Sequence, residues 1–412
     1  MSAARQTNAF YHLALAFCAG AAGVLALQEL RRRFLATRGP APAAAAKLVC
    51  LADFEARAAL LLAPSAWDYF SSGAGDQHTM RANEDVLTQR VALRPRMLVD
   101  VSRASCAHAL LGRPCGQPWG IAPTAFHALA HAQAERATAR AAARAGVAYC
   151  QSGSSSASME EVTEALGAAP AAPGLRRLWQ LYLLKSREAN LRLLARAEAA
   201  GVEALVLTVD RPVLGLRRAN LRSAFSLPGR KGTDQNACAY KDDSISEALT
   251  WEDVAWLRSA TRLPLVLKGL LTREDGAAAV RAGVAGVWVS NHGGRQLDGA
   301  LSSAEALVDV LQGVREEEAA QRAPALPAAA QLPRTAVWVD GGVRRGSDVV
   351  KYLALGADFV WLGKPVVWGL AVGGEEGLLS LLSVLSEEVR NALQLCGLQS
   401  VAQITPACVV WR

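Results

Sequence analysis

No C-x-x-C pair occurs among the eight cysteines (Cys18, Cys50, Cys106, Cys115, Cys150, Cys238, Cys396 and Cys408), and no histidine joins them at zinc-finger spacing. A disulfide framework and a structural zinc site are therefore not expected, and a reducing compartment is the plain reading. Basic stripes interleaved with aromatic residues are also missing. The net charge of +7 comes from arginines scattered over alanine-rich helical stretches, which is the pattern of a solvated surface that favours anions, not of a nucleic-acid groove. Charge is modest at 20% of residues, whereas 51% are hydrophobic, so global disorder is excluded.

At 412 residues the chain accommodates one large domain with a terminal appendage. Residues 9–27 carry no charged side chain, and Arg31, Arg32 and Arg33 follow. That length approaches a bilayer span, but Ala and Gly dominate it and Tyr11 and His12 interrupt it. A signal-anchor helix, an organelle-targeting segment and a disordered leader all remain open; an anchor would leave the following domain on the cytoplasmic side. G-P-A-P-A-A-A-A at 39–46 reads as a linker. The expected division is thus a leader over 1–46 and a folded domain over 47–412.

The spacing predicts helices over 51–62 and from 65, and then a rhythm of short β-type runs separated by Ala/Leu/Glu/Arg-rich helical stretches. Eight strands are predicted: 119–123, 147–152, 178–183, 204–210, 264–270, 286–292, 336–342 and 359–365. Their hydrophobicity is nearly continuous, as expected of parallel strands covered by helices. No G-x-G-x-x-G follows the first strand, so a doubly wound sheet is disfavoured. The expected fold class is α/β: a (β/α)8 TIM barrel with an N-terminal helical extension. A long polar connection at 221–247 would lie over the barrel mouth, as a lid or as a disordered insertion. The Pro/Ala-rich segment 322–334 precedes the seventh strand and should be inert.

In such a barrel the carboxyl ends of the strands converge on the catalytic face. Here they deliver Thr124, Ser152, Gln180 with Tyr182, Thr208 with Asp210, Lys268, and Ser290 with His292. Any one of these could be a strand cap; their recurrence at one register is harder to dismiss. The seventh strand ends in Asp340, Gly341, Gly342, Val343 and Arg344, and the eighth in Gly363 and Lys364. Glycines beside a cation at this place favour a phosphate over a mere tight turn. His292 and Arg295 stand three residues apart, so one can act as a base while the other grips a carboxylate. Asp210 could steady the imidazole, and Arg217 could be a second carboxylate clamp.

S-N-H-G-G-R-Q-L-D-G at 290–299, with D-G-G-V-R-R-G-S-D at 340–348 and L-G-K-P-V-V-W-G-L at 362–370, resembles the FMN-dependent 2-hydroxy acid oxidase family, which includes glycolate and lactate oxidases. The likeness runs from about residue 51 to about residue 401. It implies FMN as cofactor, and oxidation of (S)-2-hydroxy acids to 2-oxo acids with O2 giving H2O2. It implies His292 as the base, Asp210 as its partner, Arg217 and Arg295 on the substrate carboxylate, and Tyr69 and Tyr182 on carboxylate or hydroxyl. It places Lys268 by the flavin N1 and O2, and Pro123, Thr124, Ala125, Ser152, Gln180, Thr208 and Ser290 against the ring. Asp340 to Arg344, with Gly363 and Lys364, would hold the ribityl phosphate. A homotetramer and a peroxisomal address are further implications.

The sequence departs from this pattern in three places. Lys364 stands where Arg is usual, which keeps charge but loses bidentate geometry. Ser154 stands where glycolate-preferring members carry a pocket Trp, so a roomier pocket and medium or long-chain substrates are expected. The chain ends in Val410-Trp411-Arg412, with no peroxisomal tripeptide, which leaves a membrane-anchored or mitochondrial location as the alternative. Rival readings are a dehydrogenase of the same family passing electrons to a quinone or cytochrome, although no haem domain is visible, and a non-catalytic flavin-binding scaffold.

Overall fold

The computed structural model describes residues 47–167, 175–223, 225, 245–322 and 334–412. The leader, most of the 221–247 connection and most of 322–334 lie outside the described residues. A compact unit extends from Val49 to Arg412.

Three helices open it: α1 (Leu51–Leu61), α2 (Pro64–Ser71) and α3 (His78–Asp85). Pro64 starts α2 at a position where its missing N–H is harmless. The barrel then alternates β1 (Trp119–Ile121), α4 (Ala134–Ala145), β2 (Ala148–Gln151), α5 (Met159–Gly167), β3 (Arg177–Leu181), α6 (Arg187–Ala199), β4 (Ala204–Thr208), α7 (Arg218–Arg222), α8 (Trp251–Ala260), β5 (Leu265–Leu270), α9 (Arg273–Arg281), β6 (Gly286–Val289), α10 (Ser303–Gln321), β7 (Ala336–Asp340), α11 (Gly346–Ala354), β8 (Phe359–Leu362) and α12 (Lys364–Leu395). The eight strands are all parallel and close on themselves, β8 pairing with β1. All eight expected strands are present. The ladders stop up to three residues short of the predicted carboxyl ends, because the chain leaves the cylinder there to reach the mouth.

Large and small side chains share the interior. Trp288, Trp338 and Trp361 on β6, β7 and β8 are buried, with the rings of Trp288 and Trp361 stacked at 4.5 Å and that of Trp338 at 5.3 Å from Trp361. Ala148, Cys150, Ala204 and Val206 face them from β2 and β4 in the same cluster. Bulky residues on one half of the cylinder thus fill the space left by small ones on the other, to the density a barrel core needs.

Two small sheets lie outside the repeating strand–helix pattern. A hairpin of His108–Leu110 with Arg113–Cys115 sends Leu110 and Cys115 into the barrel core. Its turn residues Leu111 and Gly112 both have positive φ, 47° and 74°, as a two-residue hairpin with the right twist requires. Val91–Leu93 pairs with Val409–Trp411 and ties the segment before the barrel to the C-terminal one. Strands of three residues carry too short a pattern for alternation to register.

Helix α12 is long and apolar enough to cross a membrane by length and composition, but half of the apolar window is buried. Non-helical backbone at Gly373 and Gly374 breaks it into two core helices.

Trp338→Ala should destabilise the barrel by about 3–5 kcal/mol, since it empties the middle of the indole cluster. Urea unfolding followed by far-UV circular dichroism checks this; a loss below about 1 kcal/mol would show that the cluster does not organise the core.

Candidate active site

The carboxyl ends of the strands open into one cavity of about 1200 Å³. Its lining includes Tyr69 from α2, Pro123, Thr124 and Ala125 after β1, Ser152 after β2, Gln180 on β3 and Tyr182 just beyond it, Thr208 at the end of β4, Arg217, Lys268 on β5, His292 and Arg295 after β6, Asp340 to Arg344 at the end of β7, and Gly363 and Lys364 after β8. Residues that are 295 positions apart in sequence thus meet at one mouth. Two expected members stand behind the wall: Asp210, backing His292, and Ser290, which is fully buried.

His292 sits in left-handed backbone (φ 59°) and donates its amide to Ser290 Oγ at 3.0 Å. Its Nδ1 lies 2.8 Å from Asp210 Oδ1. An ionised Asp210 can only accept, so Nδ1 carries the proton and Nε2 is the unprotonated nitrogen. Burial would raise the Asp210 pKa, but His292 and Lys268 more than offset that and hold it below the usual carboxylate value. Burial pushes the His292 pKa down, and Lys268 and Arg217 add to this against the opposing pull of Asp210. The imidazole therefore rests neutral at physiological pH, as a base must.

Lys268 is buried beneath it. Burial disfavours its charge, yet Asp340 at 3.2 Å and Asp210 outweigh that and raise its pKa. Ser290 ties the floor together: its hydroxyl accepts from Lys268 Nζ at 2.8 Å and donates to Asp340 Oδ1 at 2.7 Å. That hydroxyl is already committed, so Ser290 is placed as a brace and not on the cavity surface.

Arg217 and Arg295 flank Tyr69, their guanidinium carbons 5.9 and 5.1 Å from its ring centre. Arg295 Nη1 donates to the carbonyls of Tyr69 and Ser72 at 2.7 and 2.8 Å. Burial and the neighbouring Arg217 bring Arg295 down to about 10. Burial likewise lowers Arg217. Among the described residues, no carboxylate pairs with Arg217, Arg295 or Lys364. Two desolvated cations side by side call for an anionic ligand.

Several residues that carry the site escape single-sequence reasoning. Gln296 donates to the carbonyl of Asp210 at 2.8 Å and accepts from Gly215 N at 3.0 Å, locking the loop after β4 to the loop after β6. A side chain on Gly215 would bring a Cβ within 2.3 Å of the Arg295 carbonyl. Asp298 accepts from the amides of Asp76 and Thr79, and Asn291 exchanges bonds with Asn83, so the 290–299 motif also docks α3. Arg211 stands over the Tyr182 ring at 4.7 Å. Only the motif's compactness hinted at these braces; their partners are remote in sequence.

Another part of the same cavity suits a phosphorylated flavin. Gly341, Gly342 and Gly363 line it beside Arg344 and Lys364, at the start of α12, and a Cβ on Gly363 would meet nothing within 4 Å. Gln180 Nε2 and Arg344 Nε are buried without a partner, donors that ring carbonyl and phosphate oxygens would satisfy. The fold and these features define a (β/α)8 barrel whose mouth brings together an Asp-backed histidine, two buried arginines and a glycine-lined cationic recess fit for a phosphorylated flavin.

Comparison with known proteins agrees. The model for FMN-dependent dehydrogenases matches residues 58–411. An L-lactate oxidase of Nostoc sp. is 41% identical, covering 86% of this chain and 96% of its own. A 2-hydroxyacid oxidase 2 of Homo sapiens is 40% identical over 87% and 97%. A solved mandelate oxidase variant with (S)-mandelic acid superposes with a TM-score of 0.78 at 38% identity, covering 89% of this chain and 99% of that one. The chain belongs to the FMN-dependent 2-hydroxy acid oxidase family, with FMN as its cofactor.

Asp210→Asn removes the negative charge that favours the imidazolium, so the His292 pKa should fall further. The acidic limb of the kcat/KM–pH profile, where the base is lost as pH drops, should move to lower pH while kcat falls by about 10²-fold or more. An unmoved limb would separate the limb from His292.

Proposed function

We propose that the protein oxidises (S)-2-hydroxy acids to 2-oxo acids with O2 as acceptor, giving H2O2, and favours medium or long-chain substrates over glycolate. The observation that carries this is the meeting of an Asp-backed neutral histidine and two unpaired arginines in one cavity. Arg217 and Arg295 bind the carboxylate, and Tyr69 and Tyr182 contact carboxylate or hydroxyl, which fixes the α-carbon against the flavin bed. His292 Nε2 takes up the hydroxyl proton, and Asp210 stabilises the resulting imidazolium. When bound, FMN supplies the two-electron acceptor that no side chain provides. The substrate gives up two electrons and two protons in all, and O2 takes up the same number to become H2O2.

The flavin bed is assigned to Pro123, Thr124, Ala125, Ser152, Gln180, Thr208 and Lys268, with Ser290 bracing Lys268. Asp340 to Arg344, Gly363 and Lys364 hold the ribityl chain and phosphate, and Asp340 also pairs with Lys268. Lys268 would set a fixed positive charge beside bound FMN and so favour its acceptance of electrons. Substrate breadth is supported by Ser154 on the cavity wall and by an aromatic side formed by Tyr69, Phe126 and Phe225, with Tyr69 and Phe225 stacked at 4.9 Å. Assembly as a homotetramer belongs to the same proposal, resting on family likeness, and size-exclusion chromatography with light scattering tests it.

His292→Ala should keep the yellow flavin but lose anaerobic bleaching by substrate; normal bleaching would refute the assignment of the base. Across glycolate, lactate, mandelate and longer 2-hydroxy acids, the wild type should bleach fastest with the longer ones. Ser154→Trp should lower kcat/KM for those by about 10-fold or more, as one lost pocket contact or clash does, while sparing glycolate. Equal amounts of H2O2 and 2-oxo acid are expected in air; dye reduction without peroxide would redirect the reading to a dehydrogenase.

A further inference from the structure

The phosphate end of the cavity is not purely cationic. Glu84, in the last turn of α3, lines it together with Arg344, Lys364, Gly342 and Gly363. It arrives there because the second residue past β7, Gly342, has no side chain. Gly342 has φ 72°, and a Cβ on it would fall 2.1 Å from the Asn83 carbonyl oxygen and 3.1 Å from Glu84 N. Only bare backbone lets α3 close onto the glycine turn.

Once there, Glu84 Oε1 takes Arg344 Nη2 at 2.7 Å. Arg344 Nη1 donates to the Val343 carbonyl at 3.0 Å, and Nε is buried with no partner. A bidentate grip on a phosphate uses two N–H groups of one guanidinium, and the carboxylate already occupies one of its nitrogens. The second cation does not make up the loss. Lys364 Nζ is held by the Ser71 carbonyl at 3.1 Å and Met80 Sδ at 2.7 Å. Burial, then Arg295 and Arg344, push its pKa well below the usual lysine value, with Glu84 and Glu55 opposing. Glu55 is a second carboxylate in the same field, felt by Arg344, Glu84 and Lys364 alike. Glu84 therefore offsets Arg344, with Glu55 in the same field, before a phosphomonoester adds a charge of about −1.5 to −2.

We propose that Glu84 competes with the cofactor's phosphate for Arg344 and so sets how tightly the protein holds FMN. The proposal rests on placing the phosphate at this end of the cavity. It gives the carboxylate at residue 84 a function of its own: a built-in counter-anion that neutralises the cradle in the apoprotein and must yield its hold on Arg344 when the cofactor enters.

The test is a titration of apoprotein with FMN, followed by loss of flavin fluorescence, with riboflavin as the probe lacking phosphate. Glu84→Gln should tighten FMN by about tenfold, the scale of one unit charge removed beside another at a partly exposed site, and leave riboflavin unchanged. Glu84→Ala should shift FMN affinity in the same direction, and Asp85→Asn, one residue away, should leave it where it was. Unchanged FMN affinity in Glu84→Gln overturns the proposal, as does equal tightening of riboflavin. Weaker FMN binding also overturns it, since Glu84 would then be a positioning residue that aims Arg344. Lys364→Gln checks the phosphate placement separately: it should weaken FMN and not riboflavin, and the reverse result would remove the cradle itself from this end.

Discussion

Positive charge is gathered at the mouth of this barrel faster than the protein neutralises it. Arg217 and Arg295 both lie against one tyrosine ring, 5.9 and 5.1 Å from its centre, Lys364 is buried near Arg295 and Arg344, and none of these three (Arg217, Arg295 and Lys364) has a carboxylate partner among the described residues. Desolvated cations beside one another are unfavourable until an anion arrives. The site thus calls for anions, which the proposed function supplies as a substrate carboxylate near Tyr69 and a phosphate near Gly342. Most of the other site features serve this constraint, directly or by holding the walls.

The carboxylates are allotted unequally. Asp340 is spent on Lys268, Asp210 on His292, and Glu84 on Arg344. Each sets a different property. Asp340 allows a buried lysine to stay charged. Asp210 fixes which imidazole nitrogen is free. Glu84 occupies one nitrogen of Arg344 and ties the opening helices to the rim after β7. The loops are tied with comparable economy: Gln296 and Asp298 follow the base within six residues, and bind the loop after β4 and the start of α3. A motif that reads as one contiguous block is therefore three functions in a row, which are chemistry, loop docking and helix docking.

Barrel architecture was legible because it is periodic. Eight near-continuous apolar runs at regular intervals admit few other packings, and the polar residue at each carboxyl end shares one register. His292, Asp210, Arg217 and Arg295 could be singled out on that ground, and family likeness named their partner chemistry. The short sheets at 108–115 and at the two ends of the domain were not legible, because three-residue strands are defined by what they pair with. Neither were Gln296, Asp298 and Glu84, whose roles depend on neighbours tens to hundreds of positions away.

What the sequence by itself determined is the strand count, the continuous apolar lining and the order in which basic and acidic groups reach the rim, since these follow from local periodicity and position. Which acid meets which base was decided only by the folded barrel. Closing the cylinder sets the distances between its rims, and a carboxylate's partner is chosen by a few ångströms of approach that no spacing along the chain encodes.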